Sequence, residues 1–257
     1  MLHKKVLLDA PGLAVSLCVY GPGERHGPHT DRHSRVSVLL RGSYREDARR
    51  GSVFMRPGQV LLKSCFARHE DQFGEKGASL AAIEFLDSNP FDGASEARHW
   101  CHRTDAFALR HATTFLEAAR AGDASSAGTA ALDLVTASIH DDDSATQPPP
   151  WLKTLKQELE ERSFVGVDVA ARARAAGVHP AHASRLFRRC YRTSITEHAN
   201  THSVRRAIAA LAEPGISLGE TALAAGFYDQ SHMTRLFRRA LGRTPGTQRS
   251  LMAWILG

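Results

Sequence analysis

The chain has 257 residues, with 33 lysines and arginines against 27 aspartates and glutamates and 42% hydrophobic residues. That length suits one large domain or two modest ones, and the composition can bury a core, which excludes collagen, a long coiled coil and a chain disordered throughout. No apolar run approaches the ~20 residues of a membrane-spanning helix, so no membrane span is expected.

At the amino end Lys4 and Lys5 precede apolar residues, but Asp9, Pro11 and Gly12 interrupt the stretch where a secretory signal needs continuity, so strand and turn are expected there. Short apolar or alternating runs follow at Val36 to Leu40 and through Val60, Leu62, Leu80, Ile83 and Phe85. They are punctuated by Gly21-Pro22-Gly23, Gly42-Ser43, Pro57-Gly58 and Gly74 to Gly77, the spacing of a sandwich or barrel. From about Asp105 the apolar period becomes helical on both sides of Gly122-Asp123, which predicts two antiparallel helices. Cys18, Cys65, Cys101 and Cys190 have neither zinc-ribbon nor disulfide spacing, which points to a reducing cytoplasm.

His26, His29 and His33, with Asp31 among them and His69 further on, could be gathered by a folded barrel into one polar cavity. Solvated histidines at strand ends are the simpler reading, since no regular ligand spacing is present. The stretch HGPHTDRHSRVSVLLRGSY, then MRPGQVLL and His69, resembles the small-barrel cupin pattern. It departs from the metal-binding form, because Asp31 stands where a second ligand histidine is usual and no glutamate follows at the expected interval. A cupin-like barrel without metal or other cofactor is therefore expected, with His29, Asp31, His33 and His69 as candidates for contacting a small-molecule effector.

Asp141 to Gln147 followed by Pro148-Pro149-Pro150 has nothing to bury, and the prolines should stiffen it and hold two parts apart. The predicted organisation is a sensor domain over 1–140, a linker over 141–149 and a second domain over 150–257. Residues 1–150 hold 17 basic and 19 acidic side chains and the remainder 16 and 8, so all the excess positive charge lies in the second part. Such a footprint suits a polyanion, although a solvated basic surface would look the same.

The second part contains a repeat. SRLFRRC at 184–190 matches TRLFRRA at 234–240, and the AAG triplets at 175–177 and 224–226 precede them. The offsets are 50 and 49, so the copies differ by one residue between two helices. Ala183, Leu186, Phe187 and Cys190, like Met233, Leu236, Phe237 and Ala240, recur at one face of a helix and should be buried. Each such helix follows an alanine-rich one, Asp168 to Ala176 or Ser217 to Ala225, and a turn opened by Gly177 or Gly226. That is the plan of a helix-turn-helix, whose second helix can enter a major groove ~12 Å wide.

WL at 151–152, AAGVHPAHASRLFRR, and ISLGETALAAGFYDQSHMTRLFRRALGRTPGTQR through Arg249 resemble the AraC/XylS family of bacterial transcription regulators. The first copy departs from it at Arg192, where glycine is usual, and at Ser203, where the connecting helix usually carries arginine; Gln248 replaces an aromatic. The resemblance implies an α+β protein: a cupin-like β-barrel with a helical hairpin, then an all-α domain of two helix-turn-helix subdomains joined by a helix at about Ile195 to Ala212. By the same resemblance Ala181, His182, Ser184 and Arg185, with Gln230, Ser231, Thr234 and Arg235, would read bases, arginine suiting guanine and glutamine adenine. Arg188, Arg189, Arg238 and Arg239, a turn further along, would meet phosphates.

The implied function is a non-enzymatic, sequence-specific regulator of transcription, homodimeric and cytoplasmic, with double-stranded DNA, an effector and RNA polymerase as partners. The alternative is a metal-dependent cupin enzyme with a DNA-binding tail. A methyl-accepting repair protein would need an activated cysteine, and Cys190 falls on the predicted buried face.

Overall fold

The computed structural model describes residues 3–49, 51–95, 99–139, 147–161 and 167–257. Residues 141–146 of the expected linker lie outside the described residues.

The first part is one antiparallel sheet: β1 (His3–Ala10), β2 (Leu13–Tyr20), β3 (Arg25–His29), β4 (Ser34–Ala48), β5 (Gly51–Met55), β6 (Val60–Lys63), β7 (His69–Phe85) and β8 (Trp100–Arg103). Its path runs β1-β2-β7-β4-β6-β8, with β3 paired to β7 and β5 to β4. The expected barrel is therefore not closed: among the described strands β1 and β8 stand at the two ends of the path.

Two strands carry the sheet's shape. Along the β4–β7 pairing the register shifts between Leu39 and Arg41 and again between Gly42 and Tyr44. Bulges of this kind bend a strand and raise its twist, so each strand can serve two sets of partners. Gly42 lies at φ +76°, and a Cβ there would stand 2.0 Å from the Gly77 carbonyl oxygen. Only glycine allows this approach.

β4 is buried on both faces, which explains its nearly continuous apolar run. Val36, Val38 and Leu40 join Val15, Ile83 and Phe85 against the hairpin of α1 (Ala106–Ala121) and α2 (Ala124–Ile139). Leu39 faces the other way, with Tyr44, Met55, Leu61 and Phe73.

The second part is helical: α3 (Pro150–Glu161), α4 (Val169–Ala175), α5 (Pro180–Tyr191), α6 (Ile195–Leu211), α7 (Leu218–Ala224), α8 (Gln230–Leu241) and α9 (Pro245–Leu256). The caps follow the sequence. Asp168 and Ser217 accept from the backbone amides of Ala171 and Glu220, and Ser217 completes a capping box with Glu220. Gly177 and Gly226 open the two turns at φ +71° and +84°. Leu152, Leu155 and Leu159 pack with Phe187, Cys190, Ile195 and Ala199 in a cluster of their own. Leu186 and Ala240, expected inside, are half-buried at the rims of their clusters.

The proline run does not keep the two parts apart. Val204, Ile208, Leu211, Met233, Leu236 and Phe237 belong to the same hydrophobic cluster as the sheet and the α1–α2 hairpin.

Arg192 ends α5 in the left-handed region, φ 57° and ψ 14°, and is the one non-glycine residue with positive φ among those described. Gly242 ends α8 the same way at φ 72°. The left-handed conformation costs an L-residue about 1–2 kcal/mol, which glycine avoids at the expense of greater freedom when unfolded. Arg192→Gly should therefore stabilise the protein by about 0.5–1 kcal/mol and raise its thermal midpoint. A lowered midpoint would show that the arginine side chain offsets its own backbone strain.

Candidate nucleic-acid interface and the buried charge cluster

α5 begins with Pro180 at its first turn and His179 as its cap, the imidazole Nδ1 accepting from the Ala181 amide at 3.2 Å. α8 begins at Asp229, whose carboxylate accepts from the His232 amide at 2.6 Å. Phe187 and Phe237 are fully buried. Because each anchors the inner side of its helix, Arg185, Arg188 and Arg189 on α5 and Arg235, Arg238 and Arg239 on α8 are turned outward, and all six are exposed.

Ala181, His182 and Ser184 are exposed on α5, as are Gln230 and Ser231 on α8. Thr234 is half-buried. The hydroxyls of Ser184 and Thr234 donate back to the carbonyls of Pro180 and Gln230 at 3.1 and 2.9 Å. Both remain able to accept a bond from outside.

The connecting helix α6 has 17 residues and so spans about 26 Å. Ser203 is buried and accepts from the Arg206 guanidinium at 2.9 Å, so it does not stand in for an outward arginine. Arg206 also donates to the Ala225 carbonyl beyond α7 at 3.2 Å and to the Glu160 carbonyl of α3 at 3.3 Å. Arg110 of α1 donates to the carbonyls of Arg239 and Ala240 at 2.7 and 2.8 Å, holding the carboxyl end of α8. Arg243, just past α8, pairs with Glu117 of α1 at 2.6 Å. Charge at a helix carboxyl end is favourable when positive, and Arg110 and Arg206 supply it across element boundaries. Nothing local in the sequence marks either residue, since an arginine in an amphipathic helix usually faces water.

The sheet gathers some of the predicted histidines. The rings of His29 and His69 lie 4.4 Å apart, and those of His26 and His29 6.0 Å apart. His33 joins none of the close groups of ligand-type side chains among the described residues. At the centre is a residue the sequence did not single out, Lys63, which is 2% exposed. Its ammonium lies 2.8 Å from Glu46 Oε2, 2.8 Å from His69 Nε2 and 3.4 Å from Asp31 Oδ2.

His69 Nδ1 donates to the Ala67 carbonyl, which leaves Nε2 to accept from Lys63. Burial, with the ammonium beside it, pushes the His69 imidazole down to about 4. Burial opposes ionisation of Glu46, yet Lys63 holds that carboxyl below the usual range, and Trp100 donates to it at 2.6 Å. Bonded to Glu46, His69 and Asp31, the Lys63 ammonium opposes a second cation at those three, whereas His26, His29 and Asp71 form a separate close group of ligand-type side chains.

Residues 172–250 match the family model of a helix-turn-helix domain. The match begins within α4, takes in α5 to α8 and ends within α9. Over 100 residues the chain is 33% identical to the HTH-type transcriptional regulator GlxA of Rhizobium meliloti (strain 1021), covering 39% of this chain and 31% of that one. The match thus spans about a third of the length of this curated relative. ToxT from Vibrio cholerae O395 aligns over 95% of this chain and 99% of its own at 8% identity, TM-score 0.39. The carboxyl-terminal domain of AraT, a response regulator from Geobacillus stearothermophilus, aligns over 41% of this chain and 88% of its own at 19% identity, TM-score 0.38.

Removing Lys63 would leave Glu46, fully buried, without its counter-ion. Lys63→Met should destabilise the protein by about 3–5 kcal/mol in chemical denaturation. Adding Glu46→Gln should recover much of the loss, and failure to recover it would mean that packing rather than charge makes the lysine necessary. Burial also pushes Asp71 up to about 6, with Glu46 adding to it and Lys63 opposing. The unfolded carboxyl titrates near about 3.9, so the folded state binds the extra proton and this group's contribution is lost as pH rises from about 4 through 6. Melting at a series of pH values should show Asp71→Asn gaining on the parent across that window.

Proposed function

We propose that the protein is a sequence-specific DNA-binding regulator of transcription, controlled by a small molecule and acting as a cytoplasmic homodimer with RNA polymerase as a further partner. Residues 1–140 form its sensing and dimerising part and residues 150–257 its DNA-binding part. The observation that carries this reading is the pair of helices α5 and α8. Each is seated on a buried phenylalanine, each turns three arginines outward, and the 17-residue helix α6 joins their subdomains. A separation of about 26 Å along α6 is compatible with two helices entering successive major-groove segments, which recur about every 34 Å.

On each helix the residues near the amino end meet base edges: Ala181, His182, Ser184 and Arg185 on the first, Gln230, Ser231, Thr234 and Arg235 on the second. Arg188, Arg189, Arg238 and Arg239 lie a turn further along and meet phosphates. His29, Asp31, His33 and His69 were the effector candidates. Asp31 and His69 are engaged with Lys63, so they act chiefly as structure, while His29 and His33 are half-exposed and stay as candidates. The alternative of a metal-dependent enzyme is disfavoured because Lys63 takes the central position among its would-be ligands. No helix among the described residues is long and apolar enough to cross a membrane.

Selection of bound fragments from host genomic DNA should yield a site with two half-sites about one helical turn apart. On that site Arg235→Ala should lower specific affinity by ~1–3 kcal/mol, roughly 5- to 150-fold, and relax one base preference. Arg189→Ala should weaken specific and random DNA alike and flatten the dependence on salt. Equal losses on both DNAs for Arg235→Ala would remove the base-reading role.

A further inference from the structure

The register of β3 against β7 shifts between His26 and His29. In a regular strand residues three apart face opposite sides, but here Gly27 and Pro28 together stand against Glu70 alone. The bulge brings both imidazoles to one face, His26 opposite Asp71 and His29 opposite His69. Pro28 has no N–H to give a ladder, so it is tolerated at such a position.

Three ligand-type side chains converge there. Asp71 Oδ2 lies 3.7 Å from His26 Nδ1 and 3.9 Å from His29 Nε2, and the donor atoms of the three residues all lie within 4.8 Å of one another. These separations are too long for hydrogen bonds. They approach the about 3.4 Å between two donors that each hold one tetrahedral ion at about 2.1 Å.

Both rings are bonded on their far sides. His29 Nδ1 lies 2.9 Å from the Gly27 carbonyl, which can only accept, and His26 Nε2 lies 2.8 Å from Glu24 Oε1. Each bond holds a proton away from Asp71 and, in the neutral ring, turns a bare lone pair toward it, as outer partners of metal-binding histidines do. Asp71 is 6% exposed, and its Oδ1 has no hydrogen-bond partner. Two imidazole lone pairs and a buried carboxylate thus face one another with no donor between them, an arrangement that a cation completes.

The positive charge nearby is already balanced. Lys63 faces Glu46 and Asp31, and Arg35 faces Asp31 at 2.9 Å. Among the described residues, only imidazoles lie within ion-pair distance of Asp71. His69 stays out of the set because its Nε2 accepts from Lys63. Another mixed group, Glu160, His198 and His202, has cations in place: Lys156 pairs with Glu160 and Arg205 bonds to His202.

We propose that His26, His29 and Asp71 bind a divalent first-row transition metal such as zinc at the rim of the sheet, with water in the fourth position. Two imidazoles and one carboxylate suit such an ion better than magnesium or calcium, which take oxygen ligands. The His26 and His29 side chains are 31% and 35% exposed, so the ion can enter from solvent. The cupin pattern runs instead through Asp31 and His69, which Lys63 engages, and His26 and Asp71 lie outside that pair. Metal binding stands by itself and does not rest on the function proposed above.

The test is calorimetric titration of the chelator-treated full chain, without DNA, with zinc chloride and separately with magnesium chloride. Zinc should bind at one ion per chain, and magnesium should give no heat. His26→Ala, His29→Ala and Asp71→Asn should each weaken zinc binding by more than about a hundredfold, beyond the loss usual for an outer partner of a metal ligand. His3→Ala removes an exposed imidazole on β1 and should bind as the parent does. Thermal melts identify the variants that fold, and the half-exposure of His26 and His29 keeps those two substitutions clear of the core. No heat with zinc, equal binding of magnesium, parent-like zinc binding by any folded variant of the three ligands, or loss of binding in His3→Ala overturns the proposal. Because no DNA is present, none of these results bears on base reading.

Discussion

α6 is the constraint on which the helical half depends, because one helix contributes to two hydrophobic clusters. Its first turns, at Ile195 and Ala199, complete the core of the first helix-turn-helix. Its later turns, from Val204 to Leu211, enter the larger core shared with the sheet. A helix is stiff over this length, so the two subdomains cannot pack independently of each other's orientation. Arg206 reinforces the arrangement by bonding to carbonyls of both subdomains. The outward display of arginines on α5 and α8 follows from these cores, since burial of Phe187 and Phe237 sets the rotation of each helix.

The sheet half solves a different problem. It encloses an ammonium, an imidazole and several carboxylates where an apolar filling would have been easier to stabilise. Lys63, Glu46, Asp31 and His69 compensate one another, and the order of that cluster is enforced by the bulged, glycine-dependent path of β4 beside β7. The α1–α2 hairpin covers the opposite face and carries Arg110 and Glu117 to the end of α8. The hairpin that covers the sheet and α8 are thus one hydrogen-bonded step apart.

What could be read from the residues was local. Helix period, the caps at Asp168 and Ser217, the turn glycines 177 and 226 and the repeated RLFRR each act within a few positions, and α4 to α8 follow them closely. The replacement of glycine by Arg192 was visible as a departure, and the backbone there is indeed left-handed. Closure of the sheet was not legible, because it depends on pairing between distant strands and on bulges that carry no periodic signature. Lys63, Arg110 and Arg205 escaped for a related reason: where a cation's hydrogen bonds go is decided by partners 17, 129 and 147 residues away. The outward faces of α5 and α8 were therefore readable nearly in full, and the polar interior hardly at all.

The continuity of the larger core has a practical consequence for anyone dividing this molecule. A cut at the proline run would strip Leu236, Val204 and Ile208 of the sheet and hairpin part of their shared cluster, baring an oily strip on the released fragment. Such a fragment would be prone to self-association, so any property measured on it would report the damage of severance along with its own character.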